Sequence, residues 1–63
     1  MNRLKTIREK QGLTQTEMAE LLGISRQRYF MYEHNKRSFP IKYAFKISKI
    51  FGVELEEIFL DIS

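Results

Sequence analysis

At 63 residues the chain has room for one domain, of a size that buries only about 60% of the surface its unfolded form exposes. The lack of cysteine excludes disulfides and thiolate metal sites, and one histidine, His34, cannot form a metal site alone. The net charge of +3 is unevenly spread: residues 26–49 carry Arg26, Arg28, Lys36, Arg37, Lys42, Lys46 and Lys49 against Glu33, whereas Glu54, Glu56, Glu57 and Asp61 make the remainder acidic.

Gly12, Gly23, Gly52 and Pro40 divide the chain into short segments with helical periodicity and no strand alternation. The first predicted helix runs from about Arg3 to Gln11, with Leu4 and Ile7 on one face. Gly12 is its expected left-handed end, and Leu13 packs back onto it. The second opens at Thr14, with Glu17 three residues on, the spacing of a capping box. Met18, Ala19, Leu21 and Leu22 form its apolar side before Gly23 ends it. Ser25 is a good cap for a third helix, from about Arg26 to His34, with Tyr29 and Tyr32 turned inward. Two short helices across a tight glycine turn make a helix-turn-helix unit, here about residues 14–35, with the small Ala19 at the crossing. Asn35 tolerates the positive φ that ends the third helix.

Residues 36–39 read as a loop. Pro40 suits the start of a fourth helix extending to Phe51, with Ile41, Ala44, Phe45, Ser48 and Phe51 as its inner stripe and Gly52 as its cap. A last helix, Leu55 to about Phe59, offers Leu55, Ile58 and Phe59 as apolar contacts. The expected fold is all-α: a compact five-helix bundle and a single domain over residues 1–63.

No apolar run approaches a membrane span and the basic N-terminus has no signal-peptide core, so a cytoplasmic protein is expected. Nucleophilic, metal and phosphate-cradling arrangements are all missing, and Glu56 and Glu57 diverge on a helix, so no enzyme activity is expected. A fold this small leaves no space for a drug-sized pocket, so neither a cofactor nor a small-molecule ligand is expected.

The run from Leu13 through Gln27, then Glu33 with Lys36 and Arg37, and the stretches Ala44–Ser48, Phe51–Val53 and Leu55–Phe59 together resemble the Cro/C1-type (XRE) helix-turn-helix regulators. The likeness spans about Leu4 to Phe59. It implies a lambda-repressor-like domain whose third helix enters the DNA major groove. Ser25, Arg26, Gln27 and Met31 fall at base-facing positions. Gln15, Arg28, Lys36, Arg37, Ser38 and Lys42 fall at or near phosphates, and Gln15 also braces the third helix. Arg8 and Glu33 match a partly buried ion pair. The chain departs from the family at Asn35, usually glycine, at Pro40, usually preceded by the proline, and at Phe30 and Met31, usually polar.

The implied function is a sequence-specific regulator of transcription, a repressor, bound as a homodimer to a pseudo-palindromic operator in double-stranded DNA. Ile50, Leu55, Phe59, Leu60 and Ile62 are the expected dimer surface, the apolar tail having no evident place in so small a core. A protein-interaction module on the same fold, anchored by Phe30 and Met31, is the alternative. Single-strand RNA recognition ranks third, because its usual open sheet of aromatics is not expected here.

Overall fold

The computed structural model describes residues 2–59, which among them form five helices: α1 (Leu4–Lys10), α2 (Gln15–Leu22), α3 (Arg26–Glu33), α4 (Ile41–Phe51) and α5 (Leu55–Ile58). Extended pairing among these residues is confined to one antiparallel bridge, Asn2 with Phe59, where the Arg3 N–H donates to the Ile58 carbonyl at 2.8 Å.

Local chemistry fixes the helix ends. Thr14 and Glu17 complete a reciprocal capping box: the Glu17 N–H donates to Thr14 Oγ1 at 3.1 Å, and the Thr14 N–H to Glu17 Oε1 at 2.8 Å. Ser25 Oγ accepts from the Arg28 N–H at 3.1 Å and starts α3. Between these helices Gly23 takes φ +70°, and the Ile24 N–H turns back to the Ala19 carbonyl at 3.0 Å. That conformation strains any residue bearing a Cβ, which is why glycine permits so short a turn. Asn35 is the one described non-glycine residue with positive φ, at +59°.

The core draws on every helix. Leu4 and Ile7 of α1, Met18, Ala19 and Leu22 of α2, Tyr29 and Tyr32 of α3, Ala44 and Ile47 of α4, and Ile58 of α5 are all buried together. Ala19 is buried in α2, the helix whose most extensive contact is with α3.

Three sequence expectations need correction. Leu21, expected on the apolar side of α2, is exposed, and only Met18, Ala19 and Leu22 of that helix are buried. The inner stripe of α4 is turned by roughly 60° from the one expected, at 100° per residue. Ala44 and Ile47 are buried and Tyr43, Ser48 and Phe51 flank them, while Ile41 and Phe45 are 55% and 53% exposed. The segment preceding α4 is also more than a loop. Phe39 is buried, edge-on to Tyr32 with centroids 5.4 Å apart, and Tyr43 and Phe59 lie within 6.3 Å of it. This aromatic group draws Tyr43 toward the core and so rotates Ile41 and Phe45 outward.

Candidate nucleic-acid interface

The outer face of α3 is built from residues that the helix geometry cannot bury. Tyr29, Tyr32 and Glu33 face inward, which leaves Arg26, Gln27, Arg28 and Phe30 exposed and Met31 half-buried. Ser25 is exposed at the start of the helix, with its hydroxyl already engaged as the cap. Gln27 and Met31, one turn apart, form a ridge with a cleft on each side. One cleft, about 220 Å³, is bounded by Ser25, Arg28 and Arg37. The other, about 570 Å³, is bounded by Arg26, Phe30 and Lys36. The Met31 carbonyl accepts the N–H groups of Lys36 at 2.8 Å and Arg37 at 3.3 Å, so one backbone atom positions a rim cation of each cleft.

Behind this face α3 is held by charge. Arg8 Nε donates to Glu33 Oε2 at 3.0 Å and Nη2 to Glu33 Oε1 at 3.1 Å, a bidentate pair. Arg8 Nη1 donates to the Leu13 carbonyl at 2.8 Å, and Gln15 Nε2 donates to Glu33 Oε1 at 3.2 Å. The side chains of Arg8 and Glu33 are 12% and 2% exposed. Burial acts to raise the Glu33 carboxyl, but the hydrogen bonds led by Arg8 outweigh it and hold it below the ordinary glutamate value. The same pairing raises the Arg8 guanidinium. Tyr29 lies beside this pair with its hydroxyl buried and outside hydrogen-bond geometry with any described residue. Burial first, then the neighbouring Glu33 carboxylate, pushes its phenol well above the usual range.

The remaining expected contact residues fall around α3. Gln15 is half-buried at the first position of α2, its amide directed to Glu33. Lys36, Arg37 and Ser38 are exposed in the segment after α3. Lys42 is exposed in the first turn of α4, its Nζ 5.1 Å from the centre of the Tyr43 ring.

Of the residues expected at a dimer surface, Ile50 is 43% exposed. Leu55 and Phe59 are half-buried against their own core, so only their outer edges are free. Leu60 and Ile62 lie outside the described residues.

Sequence reasoning missed Asn2. Its Oδ1 accepts from the Leu4 N–H at 3.0 Å, and its Nδ2 donates to the Tyr32 carbonyl at 2.9 Å and to Asn35 Oδ1 at 3.2 Å. It thus starts α1 and ties it to the end of α3. Asparagine just before an apolar-periodic run was the available signal. Ser48 was expected only as a stripe residue, but its Oγ donates to the Val53 carbonyl at 2.6 Å and fastens the turn after α4.

Two short helices joined across a left-handed glycine, the second exposing a basic face, define a helix-turn-helix protein. The family model described as helix-turn-helix matches residues 4–58, and the chain belongs to the Cro/C1-type family of helix-turn-helix transcriptional regulators. It is 46% identical over 59 residues to an uncharacterized HTH-type transcriptional regulator of Methanocaldococcus jannaschii, covering 94% of this chain and 89% of that protein. An uncharacterized HTH-type transcriptional regulator of Archaeoglobus fulgidus is 34% identical over 58 residues, 92% of this chain and 82% of its own. The SPbeta prophage-derived uncharacterized regulator YonR of Bacillus subtilis is 43% identical over 54 residues, 86% of this chain and 50% of its own. Among the described residues, no helix is long and apolar enough to cross a membrane, and no cluster of three or more potential metal ligands occurs.

Proposed function

We propose that the chain is a single-domain, cytoplasmic, sequence-specific binder of double-stranded DNA that represses transcription by covering its operator. The observation that carries this reading is the outer face of α3, with Arg26 and Gln27 exposed and Met31 half-buried, flanked by Arg28, Lys36 and Arg37. An α-helix fits the B-form major groove, and the N-terminal residues of a recognition helix reach the base edges. Arg26 pairs with guanine O6 and N7, and Gln27 with adenine N6 and N7, each good pair giving about 1–3 kcal/mol of discrimination. Ser25 and Met31 complete the base-facing set. Gln15, Arg28, Lys36, Arg37, Ser38 and Lys42 serve the phosphates and supply salt-sensitive, sequence-independent affinity.

A single half-site carries little information, so the chain acts as a homodimer on a pseudo-palindrome with half-site centres about 34–36 Å apart. Ile50 and the free edges of Leu55 and Phe59 form the contact. Sedimentation at high micromolar concentration tests this, and a monomer with and without operator overturns it.

The function itself is tested by selecting bound sequences from a randomised duplex pool at two salt concentrations, followed by fluorescence anisotropy. A palindromic motif is expected to emerge and to lose its advantage in the Arg26→Ala and Gln27→Ala variants. Weak binding that salt erases, with no enriched motif, overturns the reading. It favours instead a protein-interaction module anchored by Phe30, which is 38% exposed, and Met31.

A further inference from the structure

Phe30 is an unexpected residue for a DNA-facing helix. It has no donor or acceptor, so it reads neither the hydrogen-bonding groups of a base edge nor a phosphate. Nevertheless it is built into the site. Its ring packs on the His34 ring, with centroids 4.0 Å apart and planes inclined by 31°, and together with Met31 it lines the larger of the two clefts. The rim of that cleft is cationic at Arg26 and Lys36, and the Lys36 N–H is anchored on the Met31 carbonyl.

The occupant must therefore be apolar at its tip and surrounded by negative charge. In the major groove one group has this character: the methyl on C5 of a pyrimidine, carried by thymine and by 5-methylcytosine, between two phosphate strands. We propose that the Phe30–Met31 cleft is a receptor for a pyrimidine C5-methyl group, so that each half-site is read by methyl contact as well as by hydrogen bonds from Arg26 and Gln27. The proposal rests on the DNA-binding reading above. It adds Phe30 to the specificity-determining residues and continues the base-facing ridge of Gln27 and Met31 onto its apolar flank.

The test uses the full chain and the duplex obtained by selection. Each thymine of a half-site is replaced in turn by deoxyuridine, which removes the C5 methyl and nothing else. One position in each half-site is expected to weaken binding about fourfold, the equivalent of the ~0.8 kcal/mol of a buried methylene. At that position cytosine is expected to bind better when methylated at C5, which separates recognition of the methyl from recognition of thymine's oxygens. In the Phe30→Ala and Met31→Ala variants, checked for folding by circular dichroism, the deoxyuridine penalty is expected to vanish, with affinity for the unmodified half-site falling to that for the deoxyuridine duplex.

Selective binding by the wild-type chain that is indifferent to every deoxyuridine replacement overturns the receptor and leaves the DNA-binding reading intact. This arm requires no variant. A penalty that survives in both variants places the methyl elsewhere and also overturns it. Failure of any duplex to be bound selectively overturns both readings together.

Discussion

Replacing Arg8 by methionine keeps an unbranched apolar stem and deletes three hydrogen bonds at once: two to Glu33 and one to the Leu13 carbonyl. The Glu33 carboxylate, 2% exposed, keeps only the 3.2 Å contact from Gln15. Removing one partner of a buried pair costs about 3–5 kcal/mol, mostly because the remaining charge stays out of water. A chain of 63 residues has a total stability of about 3–9 kcal/mol, so Arg8→Met is expected to remove a third or more of it. Arg8→Lys is also expected to be costly, since one ammonium cannot present three donors in a fixed fork. The double variant Arg8→Met with Glu33→Leu removes both charges and is expected to recover to within about 1 kcal/mol of the wild type or to exceed it. Urea unfolding followed by circular dichroism at 222 nm measures all four proteins. The reasoning is refuted by a cost for Arg8→Met below about 1 kcal/mol, or by a double variant no more stable than Arg8→Met alone.

The depressed Glu33 carboxyl stabilises the fold above the ordinary glutamate value of 4.5, and that contribution is lost as the pH falls through its lower folded value. Urea midpoints are therefore expected to hold steady from neutrality to about pH 5 and to decline below it, less steeply in Glu33→Gln, and equal slopes in the two proteins contradict this. Tyr29→Phe is expected to change stability by less than about 1 kcal/mol at neutral pH, because the lost hydroxyl makes no hydrogen bond among the described residues. The raised Tyr29 phenol stabilises below its ordinary 10.0 and loses that contribution as the pH rises beyond it, so the phenylalanine variant is expected to resist alkali better. Urea titrations above pH 10 that show the opposite order count against this. Gly23→Ala meets no atom within 4 Å, so its expected cost of about 1–2 kcal/mol is pure backbone strain at φ +70°. Thermal melts are expected to find Gly23→Asn milder than Gly23→Ala, and the reverse order is incompatible with strain as the cause.

What was legible in the sequence was chemistry that acts over a few residues. Thr14 with Glu17, Ser25, the positive-φ glycines and Asn35 each make the turn or cap that their side chains favour. Five helices follow from those marks, and their boundaries all fall within a residue of those expected. The rotation of α4 was not legible. Apolar residues occur at Ile41, Tyr43, Ala44, Phe45, Ile47, Ile50 and Phe51, more than one face can bury, so periodicity alone permits several inner stripes. The partner decides among them, and here that partner is the Tyr32–Phe39 pair. Phe39 itself carried no helical pattern to mark it as core. The Arg8–Glu33 pair, 25 residues apart, became visible only through family likeness, because no local spacing brings such residues together. The two clefts of α3 depend on where the backbone after Asn35 folds back, which the sequence does not encode in any short motif.

The bridge between Asn2 and Phe59 has a topological consequence. With the Arg3 N–H 2.8 Å from the Ile58 carbonyl, the first and last of the described residues are neighbours. A unit with such adjacent ends can be spliced into a surface loop of a host protein with little stretching of either strand. It also admits circular permutation: a short flexible linker from Phe59 to Asn2 and a new opening at the exposed Lys36–Ser38 segment would cut no helix.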